Sequence, residues 1–321
     1  MKIVIDAMGG DKAPAEIIKG VVLANSKSSF ILVGNKNKIK ENLKGASNLE
    51  KIEIVNATEV IGMTESALAI REKKDSSLVV ALNILKKGEA DALISAGSTA
   101  ALVSGATLMI KRLPGVKRPS LAVPLPTSSG ITLLTDAGAN VDCKPEYLVQ
   151  FAKLGSAYMK EMGVENPSIG LLSVGSEDDK GNELTKEVFS LLKNSPLNFK
   201  GNIEAKEVPF GVVDVLVADG FAGNILLKTA EGYLKLMGEV LKKELKSGAV
   251  STLGALMAKP ALNKTKAFFD PSRVGAAQFL GVQNLVLKAH GSSSSKDIIG
   301  AINTCEKLIE QKIIKKLGDL L

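Results

Sequence analysis

Residues 212–232 read VVDVLVADGFAGNILLKTAEG, and the fold class is decided here. An apolar, β-rich run over 213–218 stops at Asp219-Gly220. Gly223-Asn224 then opens a helical pattern that carries Lys228 and Thr229 in its first turns. A strand feeding through a short turn into a helix is the unit from which α/β proteins are built. The same unit makes an anion site: unpaired N–H groups and a partial positive charge sit at the helix start, glycine admits a ligand to the backbone, and Lys228 adds a full charge. An ordinary strand-to-helix turn is the competing reading.

Outward from this stretch, short apolar runs alternate with amphipathic ones. Strands are expected at 2–6, 30–34, 52–56, 91–95, 120–124, 131–135, 168–172, 200–204, 213–218 and 284–288. Helical periodicity occupies 14–26, 64–72, 76–87, 98–110, 145–162, 182–194, 221–246 and 295–317. This alternation predicts a mostly parallel sheet covered by helices. No helix separates 120–124 from 131–135, so part of the sheet is expected to be antiparallel. There is no repeat and no low-complexity linker, and residues 1–321 read as a single α/β/α domain.

Residues 232–270 depart from the pattern as a helical excursion. Val250, Leu253, Leu256 and Met257 share one face of a nearly uncharged piece, with Lys259 beside it. Seven lysines against two glutamates lie between Tyr233 and Phe269. An apolar face with a basic flank suits a membrane surface or a partner; packing within the protein or against a second subunit is the alternative.

Composition removes several function classes. No run of about 18 apolar residues is present, and Asp6 follows the first strand before a signal-peptide core could form, so a cytoplasmic protein is expected. Two cysteines and one histidine cannot supply a four-ligand zinc site of the usual kind, and no metal is expected. Cys305 falls on the apolar stripe of the last helix and reads as a buried thiol. The net charge of +7 suits anionic lipid, phosphate or an acidic partner, whereas 4% aromatics and no Trp argue against nucleic acid. G-x-G, G-K-[ST] and G-x-S-x-G are all absent, which disfavours a dinucleotide enzyme, a P-loop NTPase and an α/β-hydrolase.

What the chain carries instead is a set of loops at strand ends. Asp6-Ala7-Met8-Gly9-Gly10-Asp11 follows the first strand, and Ser95-Ala96-Gly97-Ser98-Thr99 the fourth. Thr135–Asn140 with Asp142–Pro145, including Asp136 and Lys144, and Lys288-Ala289-His290-Gly291-Ser292 complete the set. Ligands in open α/β sheets sit outside the carboxyl ends of strands, so loops sharing one edge would converge on an anion-binding crevice. Each residue also has a structural alternative, as a cap, a turn or a hydrogen-bonder.

Together the motifs DAMGGD (6–11), SAGST (95–99), TDAGANVDCKP (135–145), GNELTKE (181–187), ADGFAGNILLKTAEG (218–232) and KAHGSS (288–293) resemble those of the bacterial phosphate acyltransferases of phospholipid synthesis (PlsX). The resemblance runs in order over essentially the whole chain. This chain departs from it at Ser98-Thr99-Ala100, where Asn-Thr-Gly is usual, and at Gly175-Ser176-Glu177, where Gly-Glu-Glu is. It implies a three-layer α/β/α fold like that of isocitrate and isopropylmalate dehydrogenases, without their nucleotide or any other cofactor. It implies transfer of a long-chain acyl group from acyl carrier protein to inorganic phosphate. It further implies a homodimer, peripheral membrane attachment, and hand-over of acyl phosphate to a membrane glycerol-3-phosphate acyltransferase.

Phosphate is its own nucleophile, so the chemistry requires only positioning and oxyanion stabilisation. The expected catalytic residues are Lys228, His290, Lys288 and Asp219. Phosphate or substrate is expected at Asp6, Gly9, Gly10, Ser95, Gly97, Ser98, Thr99, Asp136, Lys144, Gly223, Asn224 and Ser292. The rivals are a phosphotransacetylase acting on short acyl-CoA, a dehydrogenase on the same fold, and a non-catalytic membrane protein that binds phosphate or acyl phosphate.

Overall fold

The computed structural model describes residues 1–47, 49–269 and 276–319. Alternation along β1 (Lys2–Asp6) sets the layers: Ile3 and Ile5 point into one apolar cluster and Val4 into the other. The remaining strands are β2 (Ser29–Gly34), β3 (Ile52–Asn56), β4 (Ala92–Ser95), β5 (Ser120–Thr127), β6 (Gly130–Thr135), β7 (Ile169–Ser173), β8 (Phe199–Glu204), β9 (Val215–Val217), β10 (Ala277–Leu280) and β11 (Leu285–Lys288). Among the described residues they form one sheet in the order β3-β2-β1-β4-β11-β10-β5-β6-β9-β7-β8.

Helices cover both faces. α1 (Ala15–Leu23), α2 (Lys36–Asn42), α6 (Pro145–Glu161), α7 (Glu183–Lys193), α11 (Ser295–Glu310) and α12 (Ile313–Asp319) pack on the Ile3 side. α3 (Ala69–Glu72), α4 (Ser77–Lys86), α5 (Thr99–Gly105) and the start of α8 (Gly220–Leu245) cover the other. The result is a three-layer α/β/α arrangement around a mostly parallel, mixed sheet. Cys305 lies in the first cluster, and burial pushes its thiol upward.

Three strand pairs are antiparallel, in succession: β11 with β10, β10 with β5, and β5 with β6. Three reversals leave β6 and its parallel neighbour β9 running opposite to β11, β4 and β1. The carboxyl ends of β1, β4 and β11 therefore share one edge, the upper edge below. Those of β6 and β9 lie on the lower edge.

Helix α8 joins the two edges. Asp219 caps it by accepting the Ala222 N–H at 2.7 Å. Its first turn packs so closely on the loop after β6 that a Cβ on Gly223 would lie 2.0 Å from the Asp136 carbonyl oxygen. From Gly220 to Glu231 the helix climbs about 16 Å, the height of a five-residue strand.

Some elements differ from the sequence reading. β10 and α2 are additional. The closing helix breaks at Gln311-Lys312, where Lys312 takes φ 52°, into α11 and α12. The excursion comprises the distal half of α8 with α9 (Ala249–Met257) and α10 (Lys259–Phe268), and its expected last residue, Asp270, lies outside the described residues. Val250, Leu253, Leu256 and Met257 are all exposed. Among the described residues no helix is long and apolar enough to cross a membrane.

Candidate active site

The upper edge gathers three loops around one buried carboxylate. Asp6, at the end of β1, accepts the Ser95 hydroxyl at 2.8 Å and the Met8 N–H at 3.3 Å, with Ser77 and the Gly9 N–H also bonded to it. Burial raises its pKa and these bonds oppose the rise. The Ser95 hydroxyl accepts the Gly97 N–H at 3.0 Å, so one carboxylate fixes two glycine turns. Gly9 has to be glycine here: a Cβ would meet Asp6 Oδ2 at 2.5 Å and the Gly97 nitrogen at 2.7 Å. The third loop is tied in by Asp11 N–H to Gly291 O (2.8 Å), Ala289 N–H to Ser95 O (3.0 Å) and Lys12 Nζ to Ser292 O (2.8 Å).

Four ionisable side chains meet above this frame. Lys288 ends β11, is only 8% exposed and donates to the Ala289 carbonyl. Desolvation first, then the neighbouring Lys228 charge, lower its pKa to about 8. Lys228 and Glu231 project from the third turn of α8, with Lys228 Nζ 2.8 Å from Glu231 Oε2. The same oxygen lies 3.6 Å from His290 Nε2. Burial alone would raise Glu231, but His290 and Lys228 hold it down at about 2. His290 Nδ1 accepts the Ser292 N–H at 3.2 Å and lies 2.8 Å from the Ser292 hydroxyl. With Nδ1 accepting, the ring proton of neutral His290 is on Nε2, facing Glu231.

The sequence-expected residues thus divide into two groups. Asp6, Gly9, Gly10, Ser95, Gly97, Ser98, Thr99, Lys288, His290 and Ser292 share the upper edge, and Lys228 reaches it along α8. Ser98 caps α5, accepting the Ala101 N–H at 3.4 Å. Asp136, Lys144, Asp219, Gly223 and Asn224 lie at the lower edge. There Asp136 is buried, accepts N–H groups of Leu121 (2.8 Å), Ala139 (3.1 Å) and Asn140 (2.6 Å), and holds the loop on which α8 starts. Lys144 is exposed at the start of α6. The glycines that first suggested a ligand, Gly220 and Gly223, face the backbone of Asn140 and Asp136.

Glu231 and Ser77 belong to this candidate site, and the sequence reading does not single them out. Glu231 had a signal: it follows Lys228 by three residues, the spacing that puts two side chains on one helix face. Ser77 had none, because only the fold brings α4 to the end of β1. Among the described residues no group of three His, Cys, Asp or Glu side chains is placed to hold a metal ion.

The edge therefore offers two lysines, one of them desolvated, and an imidazole, held over turns dense in glycine. Such a set is chemically suited to a small anion and to charge developing next to it.

Comparison with known proteins gives this geometry its context. Residues 1–316 match the profile of a family described as fatty acid synthesis protein. The phosphate acyltransferase of Clostridium acetobutylicum is 50% identical over 99% of this chain and 98% of its own. That of Thermoanaerobacterium thermosaccharolyticum is 46% identical over 99% and 96%. Among solved structures, a Streptococcus pyogenes phosphotransacetylase superposes with a TM-score of 0.62 at 20% identity, covering 97% of this chain and 94% of its own. A Klebsiella pneumoniae 4-hydroxythreonine-4-phosphate dehydrogenase does so with 0.55 at 13% identity, over 95% and 98%. These two show the shared fold alone. Full-length similarity at this level means that the chain belongs to the fatty acid synthesis protein family, the phosphate acyltransferases, and is an enzyme of the transferase class.

Proposed function

We propose that the protein transfers a long-chain fatty acyl group from acyl carrier protein to inorganic phosphate, giving acyl phosphate for phosphatidic acid synthesis. The observation that carries this reading is the cluster of Lys228, Lys288 and His290 around Glu231 at the upper edge. A phosphate oxygen attacks the thioester carbonyl, the new C–O bond forms, and the C–S bond breaks. The carrier thiolate leaves and takes up a proton. A thiol has a pKa of roughly 8.5, so an ammonium near 8 is well matched to supply that proton. Lys288 is assigned that role, and Lys228 and His290 hold phosphate in line with the carbonyl.

The exposed apolar side chains of α8, among them Phe221, Ile225, Tyr233, Leu236, Met237 and Val240, support a homodimer. The apolar face of α9 and the lysines around it support peripheral attachment to anionic lipid, where a membrane glycerol-3-phosphate acyltransferase would take the product.

Release of free carrier thiol tests the reading. It should require phosphate, and long-chain acyl carrier protein should outpace acyl-CoA as donor. Preference for short acyl-CoA would favour a phosphotransacetylase. Absence of thiol release would favour a non-catalytic binder.

A further inference from the structure

Helix α5 ends in a π turn, Ala106–Ile110, and the next residue, Lys111, sits at φ 72°. Both features collect at functional positions, because the surroundings must hold them in place. Here the holding is visible. Gln283 donates from its N–H to Lys111 O and from its side chain to Arg112 O, each at 3.1 Å. Leu113 N–H reaches Gly281 O at 2.9 Å, and Lys117 N–H reaches the Gln150 side chain at 2.7 Å.

The loop so fixed borders a groove of about 520 Å³ lined by Thr107, Leu108, Arg112, Lys117, Arg118 and Tyr147. The groove is open to solvent and lined mainly by polar side chains, as suits a charged group that stays partly hydrated. The chain has only four arginines among its 41 basic residues, and two of them line this groove. Lys117 pairs with Glu146 at 3.2 Å, which offsets its charge. Arg112 donates to the Lys117 carbonyl, and Arg118 lies 5.9 Å over the Tyr147 ring. Among the described residues neither guanidinium has a carboxylate partner. Planar guanidinium forks suit phosphate oxygens better than ammonium groups do. Leu108, half exposed, and Tyr147 add apolar surface beside them.

The groove lies at the lower edge, where Arg112 bridges to Val282 and Asn140 Nδ2 donates to Pro119 O at 2.8 Å. It is separated in height from the Lys228 cluster by about one strand length, ~16 Å. A ligand that uses both must carry a phosphate well removed from its reacting carbonyl.

We propose that this groove is a subsite for a phosphate ester, the one on the pantetheine arm of the acyl donor. The identity of that donor rests on the function proposed above. The arm's phosphate engages Arg112 and Arg118, and its apolar stretch lies along Tyr147 and Leu108.

Calorimetric titration with 4′-phosphopantetheine, pantetheine and inorganic phosphate tests this. The ester should bind the wild type and Lys228→Ala alike, while pantetheine binds about tenfold or more weakly. Arg112→Gln/Arg118→Gln should lose about tenfold or more for the ester only. Arg118→Gln alone, which removes no backbone contact, should lose part of that affinity with an unchanged melting temperature. Equal binding of ester and pantetheine, indifference to both arginines, or loss of binding in Lys228→Ala would overturn the subsite. Inorganic phosphate binding the arginines as tightly as the ester would overturn it too. Phosphate-dependent thiol release by a wild type whose ester binding ignores the arginines would sink this inference and leave the function standing. Arginine-dependent binding with no thiol release would do the reverse.

Discussion

Lys288 is the residue whose chemistry the fold changes most. Lys228, Glu231, Asp6 and Asp11 face it, and desolvation dominates, so the ammonium loses its proton near pH 8. In the proposed reaction only the charged form can pass a proton to the leaving thiolate. kcat/KM for phosphate should therefore fall as pH rises through about 8. Lys228→Ala removes a like charge and should move that limb to higher pH; Glu231→Gln removes an opposite charge and should move it lower. Limbs that stay in place in both variants would disconnect Lys288 from proton supply to the thiolate. Gly223 makes the contrasting case. A methyl group there would strike the Asp136 carbonyl, so Gly223→Ala should cost about 2–3 kcal/mol, seen as a fall of several degrees in Tm. An unchanged melting curve would show that α8 can shift without penalty. At this scale the sequence was legible in residue type but ambiguous in purpose. A glycine at a helix start fits either a ligand or a neighbouring backbone, and only the fold shows that Gly223 meets backbone.

Among the elements, α8 does most to define the site. Its cap and first turn are fixed at the lower edge, and its third turn delivers Lys228 and Glu231 to the upper edge. The βα unit around Asp219 was readable because a buried strand and a capped helix each leave a clear pattern. Which edge it faced was not readable. The missing piece was β10, only four residues long, without which the reversals between β11 and β6 cannot be counted. One unseen strand changes their parity and places every loop on the wrong or the right side. Beyond the sheet, α9 presents Val250, Leu253, Leu256 and Met257 without burying any of them. Val250→Ser/Leu253→Ser should release the protein from anionic liposomes while leaving acyl transfer in solution intact. Equal sedimentation of this variant and the wild type would remove α9 as the lipid contact.

For the whole molecule, the +7 charge and the two sheet edges act together. An acidic carrier approaching a basic surface is steered over roughly a Debye length, about 8 Å at physiological salt. Raising salt should slow transfer from carrier protein more than transfer from a small thioester; equal slowing would argue against electrostatic docking. The division of labour between edges can be tested with one pair of variants. Turnover of phosphate-dependent thiol release should be measured for Lys228→Ala and Asp219→Ala, each normalised to folded protein. Lys228→Ala is expected to lose about two orders of magnitude with its fold intact. Asp219→Ala, which loses only a helix cap, is expected to lose about 1 kcal/mol of stability and keep its turnover. Near-normal turnover in Lys228→Ala, with catalysis abolished in a folded Asp219→Ala, would contradict an active site at the upper edge.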